Sequence, residues 1–129
     1  MVKQNPKNHA MALQQTDPTS LEAWKKLSDH FSESKNIRLK ELFESDTNRA
    51  SNFTLRWNEF LVDFSKNKIS QKTIDLLIEL ANEVQLKDAI RQYFGGTQIN
   101  QTEGRAVLHT ALRAKKQDEV LVDGENVVS

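Results

Sequence analysis

The chain has 129 residues, enough for one ordinary domain with a modest core. Hydrophobic residues make up 37% and charged residues 28%, a balance suited to a folded globular chain and not to a disordered one. Eighteen basic side chains equal eighteen acidic ones and cysteine is absent, so the sequence lacks the positive excess of a nucleic-acid binder and excludes disulfides and thiolate metal sites.

The N-terminal stretch Met1 to Gln15 is polar and lacks the apolar core of a signal peptide, and Asn5-Pro6-Lys7-Asn8-His9 reads as a loose start. Residues 1–19 are therefore expected to be a flexible tail. No run of about 18 apolar residues occurs, so no membrane span is expected. The lack of cysteine suits a reducing cytoplasm.

Helix signals begin after Pro18. Thr19-x-x-Glu22 has the spacing of a capping box, and Leu21, Trp24, Leu27 and Phe31 recur at steps of three and four along one face. Asn36 is a candidate cap for a shorter second helix carrying Ile37, Leu39, Leu42 and Phe43, with its charges outward. The period then changes to two. Phe53, Leu55 and Trp57 alternate with Thr54 and Arg56, and Phe60, Val62 and Phe64 alternate with Leu61, Asp63 and Ser65. Asn58-Glu59 between them predicts a tight hairpin. Core packing is the default expectation for Trp24 and Trp57.

Ser70 is the expected cap of a third helix, with Ile74, Leu76, Leu77, Leu80, Ala81 and Val84 as its apolar stripe. Leu86, Ala89, Ile90, Tyr93 and Phe94 mark a fourth, which Gly95-Gly96 stops. Asn100-x-x-Glu103 predicts the start of a fifth, containing Ala106, Val107, Leu108, Ala111 and Leu112. A polar connector, Ala114 to Glu119, leads to Val120-Leu121-Val122 and Val127-Val128. The turn residues Asp123 and Gly124 lie between these runs and predict a second hairpin. A last element that stops at Ser129, straight after two valines, suggests a cut chain. The fold class expected is mostly α with two small β-hairpins.

Chemical signatures are sparse. Gly95-Gly96 is an isolated pair, read as a helix stop and not as a phosphate loop. His9, His30 and His109 are far apart and share no helix face with a metal-spaced carboxylate pair, so no zinc site is expected. His109 lies in the expected fifth helix and reads as a partly buried, hydrogen-bonded histidine. Glu103 suits a helix N-terminus and an ion pair with Arg105. Arg105 could grip a phosphate, but one arginine makes no phosphate site. Arg113-Ala114-Lys115-Lys116 reads as a solvated loop.

Three stretches go further than periodicity. They are Leu61-Val62-Asp63-Phe64-Ser65-Lys66-Asn67, the segment from Ile99 to Arg113 that contains Thr102-Glu103-Gly104-Arg105-Ala106-Val107-Leu108-His109, and Val120-Leu121-Val122-Asp123-Gly124 followed by Asn126-Val127. In this order they resemble the N-terminal region of glucose-6-phosphate isomerase, also called phosphoglucose isomerase. Leu42-Phe43-Glu44-Ser45-Asp46 fits the same pattern. The resemblance runs from about Leu21 to Val128, and Phe64 departs from the tyrosine of many members.

The resemblance implies residues 20–129 of a larger enzyme with two αβα sugar-isomerase domains, truncated before them. It implies interconversion of glucose 6-phosphate and fructose 6-phosphate in glycolysis and gluconeogenesis, by ring opening and proton transfer through a cis-enediol. It implies no cofactor and no metal, a sugar-phosphate substrate, a homodimeric parent, no nucleic-acid or membrane partner, and a cytoplasmic location. The family's catalytic and substrate-binding groups lie later in its chain, so none maps here. The motif residues Thr102, Glu103, Gly104, Arg105, His109 and Arg113 are expected to be structural, and the chain alone to be inactive and prone to self-association. The other class that composition permits is a stand-alone helical protein-interaction module.

Overall fold

A computed structural model describes residues 16–122 and 124–128, so residues 1–15 of the tail expected over residues 1–19 lie outside the described residues. The described residues divide into two compact units. One is Asp17–Glu83, and the other runs from Val84 onward and also takes in Thr16.

The first unit opens with a 3-10 turn, Pro18–Ser20. Asp17 caps it, its Oδ1 accepting from the Thr19 amide at 2.9 Å and the Thr19 hydroxyl at 2.7 Å. The expected Thr19–Glu22 capping box does not form. Asp17 occupies the Thr19 hydroxyl, and Glu22 pairs instead with Lys25 at 3.6 Å. Helix α1 is Glu22–Ser34 and α4 is Gln71–Glu83, and the two pack together.

The contacts of this pair fall in reverse order along the two helices, so they are antiparallel. Glu83 Oε2 accepts from the Ala23 amide at 3.2 Å, Lys26 pairs with Glu79, His30 meets Thr73, and Lys72 pairs with Glu33 at 3.2 Å. The Glu83 contact satisfies one of the amides that the first turn of α1 leaves without an intrahelical partner. Ala23 is fully buried there, because only a small side chain fits so close an approach.

Lys35 and Asn36 finish α1 as a turn, and α2 starts later than expected, at Leu39–Ser45. Its first turn is held by Glu41, not by Asn36. The Glu41 carboxylate accepts from the Arg38 amide at 3.1 Å and from Arg38 Nε at 2.8 Å. These two bonds hold the Glu41 carboxyl below its usual range, the Arg38 side chain contributing most. A single further helical turn, α3 (Arg49–Asn52), leads into the first hairpin and has no periodic signal in the sequence.

The hairpin forms where the period of two predicts it. Strands β1 (Thr54–Trp57) and β2 (Phe60–Asp63) pair in antiparallel register, Leu55 opposite Val62 and Trp57 opposite Phe60. Asn58 takes φ 50, a left-handed turn conformation that asparagine tolerates better than most residues. Alternation puts Leu55, Trp57, Phe60 and Val62 on one face. Core packing of Trp57 is not realised: it stacks on Phe60, ring centroids 5.6 Å apart, and is 70% exposed. Trp24 is more covered but still 40% exposed. A two-stranded ribbon has no second layer to cover its apolar face.

In the second unit α5 spans Leu86–Phe94 and ends as Gly95-Gly96 predicts. The Thr97 amide donates to the Gln92 carbonyl at 3.1 Å and the Gly95 amide to the Arg91 carbonyl at 2.9 Å, with Gly96 at φ 76. This is a Schellman-type stop, in which the left-handed residue lets the chain fold back onto the last helical carbonyls.

The expected fifth helix is absent. Gly104 takes φ 62, and Arg105 pairs back onto Asn100, the two residues exchanging amide-to-carbonyl bonds of 3.1 and 3.2 Å. Asn100 Oδ1 accepts from the Thr102 hydroxyl at 2.7 Å and the Glu103 amide at 3.3 Å. The side chain that resembled a helix cap thus closes a reverse turn. Only Ala111–Arg113 is helical beyond it, as a 3-10 turn.

The second hairpin joins β3 (Leu121–Val122) to β4 (Glu125–Asn126). Its strands are placed differently from the expectation, because Glu125 and Asn126 pair directly with Val122 and Leu121. Val127 continues the pairing through its amide to the Val120 carbonyl at 2.9 Å. Asp123, half of the expected turn, lies outside the described residues, and Gly124 takes φ 91.

Candidate functional site

The motif residues separate into two groups in the second unit. Thr102, Glu103, Gly104 and Arg105 form the exposed reverse turn closed by Asn100. Within it Arg105 Nη2 donates to Glu103 Oε2 at 2.5 Å, and Glu103 also accepts from Asn100 Nδ2 at 3.1 Å. The guanidinium that could have taken a phosphate is thereby matched by a carboxylate of its own turn.

His109 and Arg113 belong to the other group. With Tyr93, Phe94, Thr110 and Leu112 they line an open pocket of about 450 Å³. The expectation of a partly buried His109 is not met. Without the fifth helix there is no apolar helix face to enclose it, and it is exposed. Tyr93 and Phe94 come from the last turn of α5, their rings edge to face at 5.2 Å and 89°. Sequence reasoning took these two only as helix stripe. Their place directly before the Gly95-Gly96 stop was the signal that the chain returns past them.

The first unit holds a residue that sequence reading passed over. Arg49, on α3, is 2% exposed. Its Nε donates to the Ser65 carbonyl at 2.8 Å, and its Nη2 donates to the carbonyls of Asn67 at 2.8 Å and Ile69 at 2.9 Å. The guanidinium lies 4.4 Å from the Phe53 ring centroid and 5.6 Å from that of Phe43. Carbonyl oxygens and aromatic faces replace the water that a buried cation loses. The signal was the placement of Phe43 and Phe53 on either side of a lone arginine.

Each end of the loop that Arg49 grips is also fixed. Asp63 Oδ1 accepts from the Ser65 amide at 2.9 Å. The Ser65 hydroxyl and amide together hold the Asp63 carboxyl below its ordinary value. At the far end Ser70 caps α4, as expected, through a reciprocal pair. Its amide donates to Thr73 Oγ1 at 3.0 Å, and the Thr73 amide donates to Ser70 Oγ at 3.4 Å. His30 Nε2 lies 2.7 Å from the same Thr73 Oγ1.

Beside this cap an open groove of about 530 Å³ runs along α1, with Trp24, Leu27, Phe31 and Ile69 as its apolar floor. Much of its polar rim is internally satisfied: Lys68 Nζ donates to the Lys35 carbonyl at 2.9 Å, and Ser32 and Ser34 donate to carbonyls of their own helix. Such a groove suits apolar side chains better than a polar reactant. Among the described residues no group of three or more His, Asp or Glu is placed to hold a metal ion. No helix of the described residues is long and apolar enough to cross a membrane.

The sequence of the whole arrangement has close relatives. The sequence model of the family described as "Phosphoglucose isomerase" matches residues 63–129. A glucose-6-phosphate isomerase of Christiangramia forsetii is 53% identical over 112 residues, covering 87% of this chain and 21% of the relative. One from Buchnera aphidicola subsp. Schizaphis graminum is 49% identical over 108 residues, 83% of this chain and 20% of the relative. Glucose-6-phosphate isomerase 1 of Neisseria gonorrhoeae is 45% identical over 108 residues, with coverages of 84% and 20%. The chain thus spans about a fifth of the length of the curated relatives it matches. The family match takes in the Asp63–Ser65 turn, the reverse turn at Asn100–Arg105 and the pocket residues His109 and Arg113, and on that match the chain belongs to the phosphoglucose isomerase family.

Proposed function

We propose that residues 20–129 serve as a supporting region of an aldose–ketose isomerase that interconverts glucose 6-phosphate and fructose 6-phosphate. In this reading the reaction proceeds by ring opening and proton transfer through a cis-enediol, with a carboxylate as base. It operates in glycolysis and gluconeogenesis in the cytoplasm, within a homodimer whose sugar-isomerase domains are of αβα type. The observation that carries the activity is the 53% identity to an enzyme named for it, over most of this chain.

The supporting role rests on the distribution of side chains. Among the described residues, the apolar faces of α1 and of the first hairpin are largely open, whereas Arg49 and the two reverse-turn ends are tied by internal hydrogen bonds. Large exposed apolar patches mark surfaces that other polypeptide covers. Thr102, Glu103, Gly104, Arg105, His109 and Arg113 are, on this reading, structural and not catalytic.

A coupled dehydrogenase assay on fructose 6-phosphate tests the division of labour. The 129-residue chain alone is expected to give no turnover above a blank, and clear turnover would overturn the supporting role. Reading the encoding gene past Ser129 tests the parent activity. A glycine-rich, Ser/Thr-rich sugar-phosphate loop is expected there. A stop codon would instead favour a stand-alone interaction module.

A further inference from the structure

One face of α5 is left uncovered within the second unit. Leu86, Ile90 and Phe94 recur at every fourth residue, which aligns them along the helix, and all three are exposed. Ala89 and Tyr93, on the adjoining face, are partly covered, so α5 meets its own unit there and turns the stripe outward. Phe94 carries the stripe into the open pocket at the helix end. There the Ala111–Arg113 turn adds Leu112, at 86% the most exposed of the large apolar side chains among the described residues. A lone exposed leucine is ordinary, but apolar side chains in continuity mark an interaction surface.

The charges that border this face have one sign. Lys87 stands on the margin of the stripe, directly after Leu86 and one turn before Ile90, and Arg113 lies at the pocket end beside Phe94. Among the described residues neither enters an ion pair nor donates a side-chain hydrogen bond. Asp88, the one carboxylate of α5, falls on the opposite side of the helix and is paired with Arg91.

We propose that this face receives an amphipathic helix of a partner protein, its apolar side on the stripe and its margins carrying carboxylates that meet Lys87 and Arg113. Side chains four residues apart form the ridges by which one helix packs on another, and a helix is bound through apolar anchors of this spacing. Lys87 and the Phe94 end of the stripe are separated by about two turns, or about 10 Å, of α5. Carboxylates about seven residues apart on the partner therefore match both cations. Two unpaired cations with no free carboxylate beside them favour an acidic partner over a basic one. Arginine next to aromatic rings is the kind of grouping on which interface energy concentrates. The face belongs wholly to the second unit and stands independently of the isomerase reading.

The test is fluorescence anisotropy of a labelled synthetic helical peptide, with leucine at every fourth position and two glutamates about seven residues apart, titrated with the 129-residue chain. Saturable binding is expected, about tenfold weaker when glutamine replaces both glutamates, and weaker again as salt is raised. Lys87→Glu combined with Arg113→Glu should lose the glutamate peptide and gain a peptide with lysines in those places. Leu112→Ser should weaken the glutamate peptide through the apolar contact alone. Unchanged circular dichroism verifies that each variant is folded. Failure to saturate, equal binding of the glutamine peptide, or no exchange of preference in the charge-reversed variant would overturn the site. Light scattering in which that variant lowers the mass of the chain without peptide would assign the face to a second copy. Loss of peptide binding in the full product of the encoding gene would assign it to later residues of the same polypeptide. Either result would overturn the partner.

Discussion

The Nε of Arg49 donates to the carbonyl oxygen of Ser65 at 2.8 Å, and both residues are 2% exposed. This bond, with those to Asn67 and Ile69, makes one side chain the fixing point of the loop between β2 and α4. A buried cation persists only when its donors are occupied, and a buried carbonyl only when it is paired. Each therefore satisfies the other's requirement.

Arg49→Ala is expected to destabilise the chain by about 3 kcal/mol or more, since it opens a cavity between Phe43 and Phe53 and orphans three carbonyls. Arg49→Lys keeps the charge but not the planar fork, and should cost about 1–3 kcal/mol. Urea unfolding followed by tryptophan fluorescence measures both. Losses within about 0.5 kcal/mol, the range of ordinary surface changes, would show that the loop does not depend on this clamp.

Two glycines with positive φ should respond differently to alanine. A Cβ on Gly96 would lie 2.7 Å from the Leu121 carbonyl oxygen, while one on Gly104 meets nothing within 4 Å. Gly104→Ala then carries only backbone strain, about 1 kcal/mol, and Gly96→Ala adds a clash with backbone, for about 2–3 kcal/mol in all. Thermal unfolding of the two variants checks the order, and equal shifts would contradict the close approach of β3 to the end of α5.

Three carboxyls are held below their usual values by hydrogen bonds to the charged form: Asp17 by the Thr19 hydroxyl and amide, Glu41 by Arg38, and Asp63 by Ser65. In the unfolded chain these groups take up protons at higher pH than in the folded one. Their contribution is therefore complete above the ordinary carboxylate range and is lost as pH falls below about 4, through the depressed folded values. The midpoint of thermal unfolding should drop on acidification below that point. Asp63→Asn should flatten the drop, and an unaltered profile in that variant would remove Asp63 from the explanation.

The open face of Leu55, Trp57, Phe60 and Val62, in a chain of zero net charge, predicts self-association. Light scattering should report a mass that rises with concentration. Trp57→Ser with Phe60→Ser should lower it at the same concentration. A monodisperse monomer at high concentration would count against the hairpin as an adhesive surface.

Elements whose signal is local were legible in the sequence. The helix from Ser70 onward, the stop at Gly95-Gly96 and the hairpin over residues 54–63 each follow from side-chain period, capping chemistry or left-handed propensity within a few residues. The family resemblance was legible for a similar reason, since it rests on three short stretches, each contiguous in sequence: Leu61 to Asn67, Ile99 to Arg113, and Val120 to Val127. The failure at Asn100 is instructive. Asn-x-x-Glu serves a helix start and a closed turn equally well, and Gly104 with Arg105 turned it to the second by pairing back onto Asn100. The choice between two local hydrogen-bond schemes then exposed His109 and set it beside α5.

What tertiary structure alone decided is which side chains meet. Period places Leu55 and Trp57 on one face but cannot say that nothing covers that face. Composition counts Arg49 as one of eighteen basic residues but cannot say that three carbonyls from a loop up to twenty residues away converge on it. It cannot say either that Arg113 lies open beside Tyr93 and Phe94 while Arg105 is neutralised by Glu103. Conformational preference acts over a few bonds, whereas burial and charge matching depend on distances that only the folded chain fixes.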